Sequence, residues 1–528
     1  MNQNKFQSLI LLITLSTLIF LDVALANHLA LNFFNVRDFG AAGQGTDCDT
    51  EAVQAAIDSA FANGGGVVYF PPGKYLIKTV VLKDNVAIRM DRGTTILGST
   101  ELNQFDPQYG SFTDSDGRKF GTCLFFARDA KNIAIEGDGI INGQGFPEFY
   151  PIKEGLARPA IIRFIRCQNV KIEDIMLINS AAWVQHYVEC DDLTIRGITV
   201  HSYSNKNNDG LDIEGCQRVL ITGCNISSED DSIVLKAFSR RSCRDVVISD
   251  CIISGLKSAI KTGTESAGGF ENISISNCVF YGTRGISLLS VDGGDVNNIT
   301  ISNISMRDSY AVIVMRLGAR MRPFSLSEEE RPQKAGTFKN IMIHNIQATG
   351  VTESNDFICG IPGHFIENVT LSNIRITYKG GGNKVDSERA IPELVDEYPK
   401  AKMFGTLPAY GFFIRHAKNI KLTDVSLSFE KPDHRSVIWC DDVSNLELAG
   451  IQAQSTATAV PFFSLKNVRD AWIHGCKPLN AIETFLRVDG SDSEGIILSE
   501  NFLKSVRTEI VQRNEVAKHA VESRGNFK

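Results

Sequence analysis

The chain has 528 residues, 43% hydrophobic and 22% charged, with a formal net charge of −7. That length exceeds one ordinary compact core, so several domains or a repeat array are expected of an otherwise ordinary folded composition. The acidic balance excludes any global attraction for nucleic acid or anionic lipid, so an anionic ligand would need a local basic patch.

The first predicted element is an export signal. Lys5 gives the positive start, Leu9 to Leu21 is apolar or small polar, and Ala24-Leu25-Ala26 has the small-x-small form of a cleavage site. The run is shorter than the roughly 20 residues of a membrane span, and Asp22 ends it. Residues 1–26 are therefore read as a cleaved signal peptide, which predicts a secreted or periplasmic protein with no membrane anchor.

Next comes Thr50 to Asn63 (TEAVQAAIDSAFAN), whose Ala-rich spacing predicts a helix with a Gly-rich stop. Val67 to Phe70 followed by Pro71-Pro72-Gly73 reads as strand and turn. Residues 35–75 form an expected N-terminal cap, the helix shielding an exposed β edge.

A repeat then takes over. The pattern apolar-x-apolar-polar followed by Asn, Asp or Gly starts at Val170, Leu193, Val219, Val246, Ile273 and Ile299, and again at Ile341, Val369, Ile420 and Ala471, with looser copies at Leu446 (Ala449 at the polar place) and Ile496 (Glu500 at the bend). Alternation marks strands buried on one face, and the Asn/Asp/Gly is a bend residue able to adopt a left-handed conformation. A coil of about 22–28 residues without helix-length segments must stack on its neighbours, and propeller blades would be longer. The predicted fold is all-β, a single-stranded right-handed parallel β-helix over residues 27–504.

Cys224, Cys251 and Cys278 recur at 27-residue steps, which places them at one inward position per coil rather than in a disulfide framework. Two steps are long, with surplus in Arg316 to Gly336 and Lys379 to Tyr410, and such loops often build a binding face. Residues 505–528 are read as a polar tail, helical or loose. The sequons at Asn272 and Asn298 fall inside the repeat and are read as bend residues, not glycan sites.

Asn207-Asn208-Asp209-Gly210 and Glu229-Asp230-Asp231 lie about one coil apart. Stacked strands rise about 4.8 Å, so Asp209, Asp230 and Asp231 would share one surface, and one carboxyl there would keep a proton. A proton-donating acid beside ionised bases is what glycosidic hydrolysis needs. The same residues also serve as turn formers, which leaves a sugar-binding scaffold as the other reading.

Several segments resemble glycoside hydrolase family 28, the polygalacturonase-like pectin hydrolases of the pectin lyase-like superfamily. They are Asn35-Val36-Arg37-Asp38-Phe39-Gly40-Ala41, Gly139 to Gly145, Asn179 to Trp183 with His186, Asn207-Asn208-Asp209 and Asp230-Asp231 with Ile233 and Lys236. The resemblance spans Asn35 to Asn303. It implies an inverting hydrolase with Asp230 as general acid, Asp209 and Asp231 activating water, and acid and base about 6.5–9.5 Å apart. It implies a polysaccharide or oligosaccharide substrate, no cofactor, no metal and no nucleic-acid partner, and the chain is expected to be a monomer. The chain departs from the family at its Gly-His-Gly and Arg-x-Lys motifs, where Lys257 to Gly263 and Gly285 to Leu289 stand instead. Lys236, Lys261 and Arg316 are candidate substitutes as carboxylate binders. Asn207, Glu265, His364, Tyr410 and Arg415 complete the candidate substrate-binding set, and the long loops point to chain-end attack. A non-catalytic sugar-binding or adhesin protein and a polysaccharide lyase remain the alternatives.

Overall fold

The computed structural model describes residues 32–105, 108, 112–113, 119–120, 122–153, 157–322, 326–353, 355–456, 460–513 and 515–528. The expected signal peptide lies outside them. No helix among the described residues is long and apolar enough to cross a membrane.

Helix α1 (Thr50–Ala62) buries Val53, Ala56, Ile57 and Ala60 against the strands of the first coil. Beyond it the chain winds as a right-handed parallel β-helix with three faces. One face stacks Ala160–Ile165, Gln185–Val188, Leu211–Glu214, Ile233–Ala237, Ile260–Ser266, Ile286–Ser290 and Ile313–Leu317. A second stacks Gln168–Glu173, Asp191–Arg196, Gln217–Thr222 and Cys243–Ser249, and a third stacks Met176–Ile178, Thr199–Ser202, Asn225–Ser228 and Ile252–Gly255.

The predicted repeat starts are true register partners. Val170 pairs with Leu193, Leu193 with Val219, Val219 with Val246, and so on through Ala471 with Ile496. All are buried, so each coil hides its inner face only by lying on the next. The bends behave as their chemistry requires. Asn340, Asn368, Asn419 and Asn445 sit at positive φ, and their amides form an exposed ladder, each donating to the amide oxygen one coil before at 2.8–2.9 Å. The sequon residues Asn272 and Asn298 belong to a similar ladder, linked at 2.9 Å. The twelve cysteines are free, eleven of them buried.

The polar stretch after residue 504 departs from its reading. Val506–Gln512 and Val521–Arg524 are strands, and Val521 pairs with Ile496, so the solenoid continues where a tail was expected. The alternation there is masked by outward charges.

Asn368→Ala removes an amide that both donates to Asn340 and accepts from Asn419, and puts a Cβ without side-chain compensation at φ 56°. The expected loss is about 1–2 kcal/mol. Urea denaturation checks it, with Asn368→Gly recovering the backbone part alone; an unchanged midpoint for the alanine variant would contradict the ladder's role.

Candidate active site

The first face is buried on both sides, because its outer surface is the floor of a cleft. Asn208 fixes the turn that carries Asp209: its amide donates to the carbonyls of Ser180 and Ala182 at 3.1 Å and accepts from the Ser202 hydroxyl at 2.8 Å. Gly210 follows because any Cβ there would meet the Ser232 carbonyl at 2.5 Å. That close approach lets Gly210 N–H reach the Asp231 carbonyl at 3.0 Å, tying the two acidic turns together.

Oxygens of Asp209, Asp230 and Asp231 converge within 4.8 Å of one another. They line a cavity of about 340 Å³ with Trp183, Asn207, Lys236, Lys261 and Glu265, and with the long-loop residues Tyr398, Pro399, Lys400 and Ala401. Asp231 accepts from Lys261 Nζ at 2.7 Å and from Ser258 N–H at 2.8 Å. Burial alone would raise its pKa, but Lys261 outweighs it and holds Asp231 below the ordinary carboxylate range. Asp209 is the opposite case: burial, then the carboxylates of Asp212 and Asp230, push it well above that range. The surroundings therefore favour the protonated form of Asp209 and the ionised form of Asp231. Asp230 is the most open of the three to solvent, with Lys257 Nζ at 3.4 Å.

A second tier of buried charge lies beside this one. Lys236 Nζ is 3.0 Å from Glu265 and 3.7 Å from Asp212, and sits 4.6 Å from the Trp183 ring centroid. Asp212 is fully buried with no hydrogen-bond partner on either oxygen among the described residues, and burial pushes its pKa up to about 8 against the pull of Lys236. His186 meets Glu214 at 2.7 Å, and burial favours the neutral form of each. The tier carries few net charges and fixes the floor.

The cavity thus gathers Asn207, Asp209, Asp230, Asp231, Lys236, Lys261 and Glu265 from the expected set. The other four lie elsewhere. Tyr410 is an inner core residue whose hydroxyl donates to the Gln454 carbonyl at 2.6 Å. His364 closes a tight turn with Ile361. Arg316 donates to the carbonyls of Gly360, Glu393 and Leu394 at 2.8 Å, and Arg415 to those of Ile391 and Pro392 at 2.7 and 2.8 Å. These two arginines hold the long loop down rather than facing the cleft. Sequence reasoning passed over Lys257, Arg284, Tyr398 and Lys400, all of which line the cavity. Lys257 and Arg284 occupy the same corner of successive coils as Asp230, each 27 residues on, and that spacing was a signal available in the sequence.

The profile of glycosyl hydrolases family 28 matches residues 68–394, and the chain belongs to that family. A probable polygalacturonase of Vitis vinifera is 30% identical over 213 residues, covering 38% of this chain and 43% of that protein, so the match spans less than half of the relative's length. The fold resembles that of a hyperthermoactive exopolygalacturonase from Thermotoga maritima, with a TM-score of 0.58 at 24% identity over 66% of this chain and 87% of that one. It also resembles a family 28 exopolygalacturonase of Yersinia enterocolitica, with a TM-score of 0.63 at 17% identity over 80% and 78%.

Arg316→Ala takes a donor from the carbonyls of Gly360, Glu393 and Leu394, of which Leu394 keeps a longer bond from Glu397 N–H at 3.4 Å. The expected cost is about 2–4 kcal/mol, with new proteolytic cleavage between residues 391 and 401. Thermal melts with mapped limited proteolysis check this; an unchanged cleavage pattern would show that the loop is held by other means.

Proposed function

We propose that this chain is an exported hydrolase that cleaves glycosidic bonds in pectin-like or other acidic polysaccharide. The observation that carries the reading is the convergence of three carboxylates from neighbouring coils within 4.8 Å, in a cavity rich in cations. Membership of family 28 supports it, and so does the division of roles by environment. Asp231, ionised beside Lys261, takes a proton from the attacking water. The cluster's retained proton passes to the glycosidic oxygen through Asp230, whose carboxyl is the most open to the cleft. Water oxygen bonds to the anomeric carbon as the bond to the leaving oxygen breaks, so atoms and protons balance. Two oxygens less than 5 Å apart are close enough to share one hydrogen-bonded water, and in this reading the attacking water sits between Asp209 and Asp231.

The carboxylate oxygens stand nearer one another than the 6.5–9.5 Å or so usual between the carboxyl groups of inverting enzymes. Proton NMR of the first product decides the outcome: inversion is expected, and retention would mean that an aspartate attacks the sugar itself.

Asp230→Asn is expected to cut turnover by about 10²–10⁴-fold without lowering thermal stability. Product analysis on a panel of purified polysaccharides checks this, and products absorbing ultraviolet light would point to elimination instead. The rate should rise as Asp231 ionises, below the ordinary carboxylate range, and fall as pH climbs through the raised pKa of Asp209 and the retained proton leaves. A rate that keeps rising into alkaline pH would sink the shared-proton scheme.

A further inference from the structure

We infer that Arg284, faced by Lys400 of the long loop, grips the free carboxylate of the sugar next to the cleaved bond. The proposal rests on the hydrolase reading for its orientation, but not for the binding itself.

The charges around the cavity come in pairs, with two exceptions. Lys261 is committed to Asp231, Lys236 to Glu265, and Lys257 leans on Asp230. Arg284 and Lys400 line the same cavity and make no side-chain hydrogen bond or ion pair among the described residues. Arg284 Nε is moreover buried without a partner, a position that costs free energy until an acceptor arrives. A guanidinium with a free planar fork matches a carboxylate better than a single hydroxyl.

Position supplies the second argument. Arg284 N–H donates to the Lys257 carbonyl at 2.7 Å, so the two turns stack directly, and Lys257 Nζ in turn reaches Asp230. At about 4.8 Å per coil, Arg284 stands two rungs, on the order of 10 Å, from the acidic turn. That separation suits a group on the sugar beside the scissile bond. The stretch Gly285 to Leu289 carries neither arginine nor lysine, and the cation is supplied from the turn just before it. Lys400 comes from residues 379–410, the segment that Arg316 and Arg415 pin to the solenoid. Solenoid and insertion thus each supply one cation.

Binding separates this inference from catalysis. In an Asp230→Asn background, calorimetry with a galacturonate trimer and with its fully methyl-esterified form measures the contribution of the free acid. Arg284→Ala should weaken the acid trimer by about 10–100-fold and change the ester by less than about twofold, and Arg284→Lys should restore only part. Lys400→Ala, at an exposed position, should weaken the acid trimer several-fold with the same selectivity. Equal losses for acid and ester, or no loss for either, overturn the proposal, and Lys400→Ala decides the matter should Arg284→Ala fail to fold. Selective binding by a wild type that cleaves no polysaccharide would sink the hydrolase reading alone. Cleavage with unselective binding would sink the carboxylate grip alone.

Discussion

Everything in this molecule depends on the register of one parallel ladder. A coil cannot bury its inner face by itself, so each apolar position is satisfied only by the same position one turn on. Val170, Leu193 and Val219 are aligned for that reason. The corners are then aligned as a consequence, and a residue placed at a corner acquires neighbours about 4.8 Å above and below it. Asp209 and Asp230 meet through this rule, and so do Asp230, Lys257 and Arg284. The chemistry of the cleft is a by-product of the packing of the core.

Such stacking would be ruinous for like charges in an apolar setting, and the electrostatics of the floor show how the chain manages it. Buried carboxylates at Asp209, Asp212, Asp231 and Glu265 share their surroundings with Lys236 and Lys261. Where a lysine makes a direct contact, as Lys261 does with Asp231, the acid stays ionised. Where none does, as at Asp209, burial and its acidic neighbours favour the protonated form. Two aspartates on adjacent turns are thereby shifted in opposite directions by the position of one ammonium group.

This division sets what the sequence discloses. Register is local and periodic, so the repeat starts, the bend asparagines and the inward cysteines were all legible from spacing, as were the acidic turns. Partner choice is neither local nor periodic. Arg316 and Arg415 read as carboxylate binders because a sequence displays charge and not its destination; in the fold they meet backbone carbonyls of residues 391–394. Tyr398 and Lys400 lie in an irregular insertion, and nothing in their neighbourhood says that it folds over a cleft built some 190 residues earlier. The strands after residue 504 were hidden for a third reason, since an outermost coil exposes more of its alternation to polar residues.

The insertion also explains why two arginines are spent on carbonyl groups. A solenoid alone presents an open groove, whereas the wall from Tyr398 to Ala401 turns it into a cavity. The loop packs Ala401, Phe404 and Leu407 against Leu289, Val314 and Phe413 of the solenoid, and its backbone carbonyls nearby need donors once they leave water. Arg316 donates to three carbonyls and Arg415 to two from the outer surface of the cleft face, and Arg415 also reaches Glu393 at 3.2 Å. His416 adds contacts to Glu393 at 3.0 Å and Asp442 at 2.7 Å. The base of the loop is thereby fixed to the rigid stack, so the position of the wall is set by the same register that brings the aspartates together.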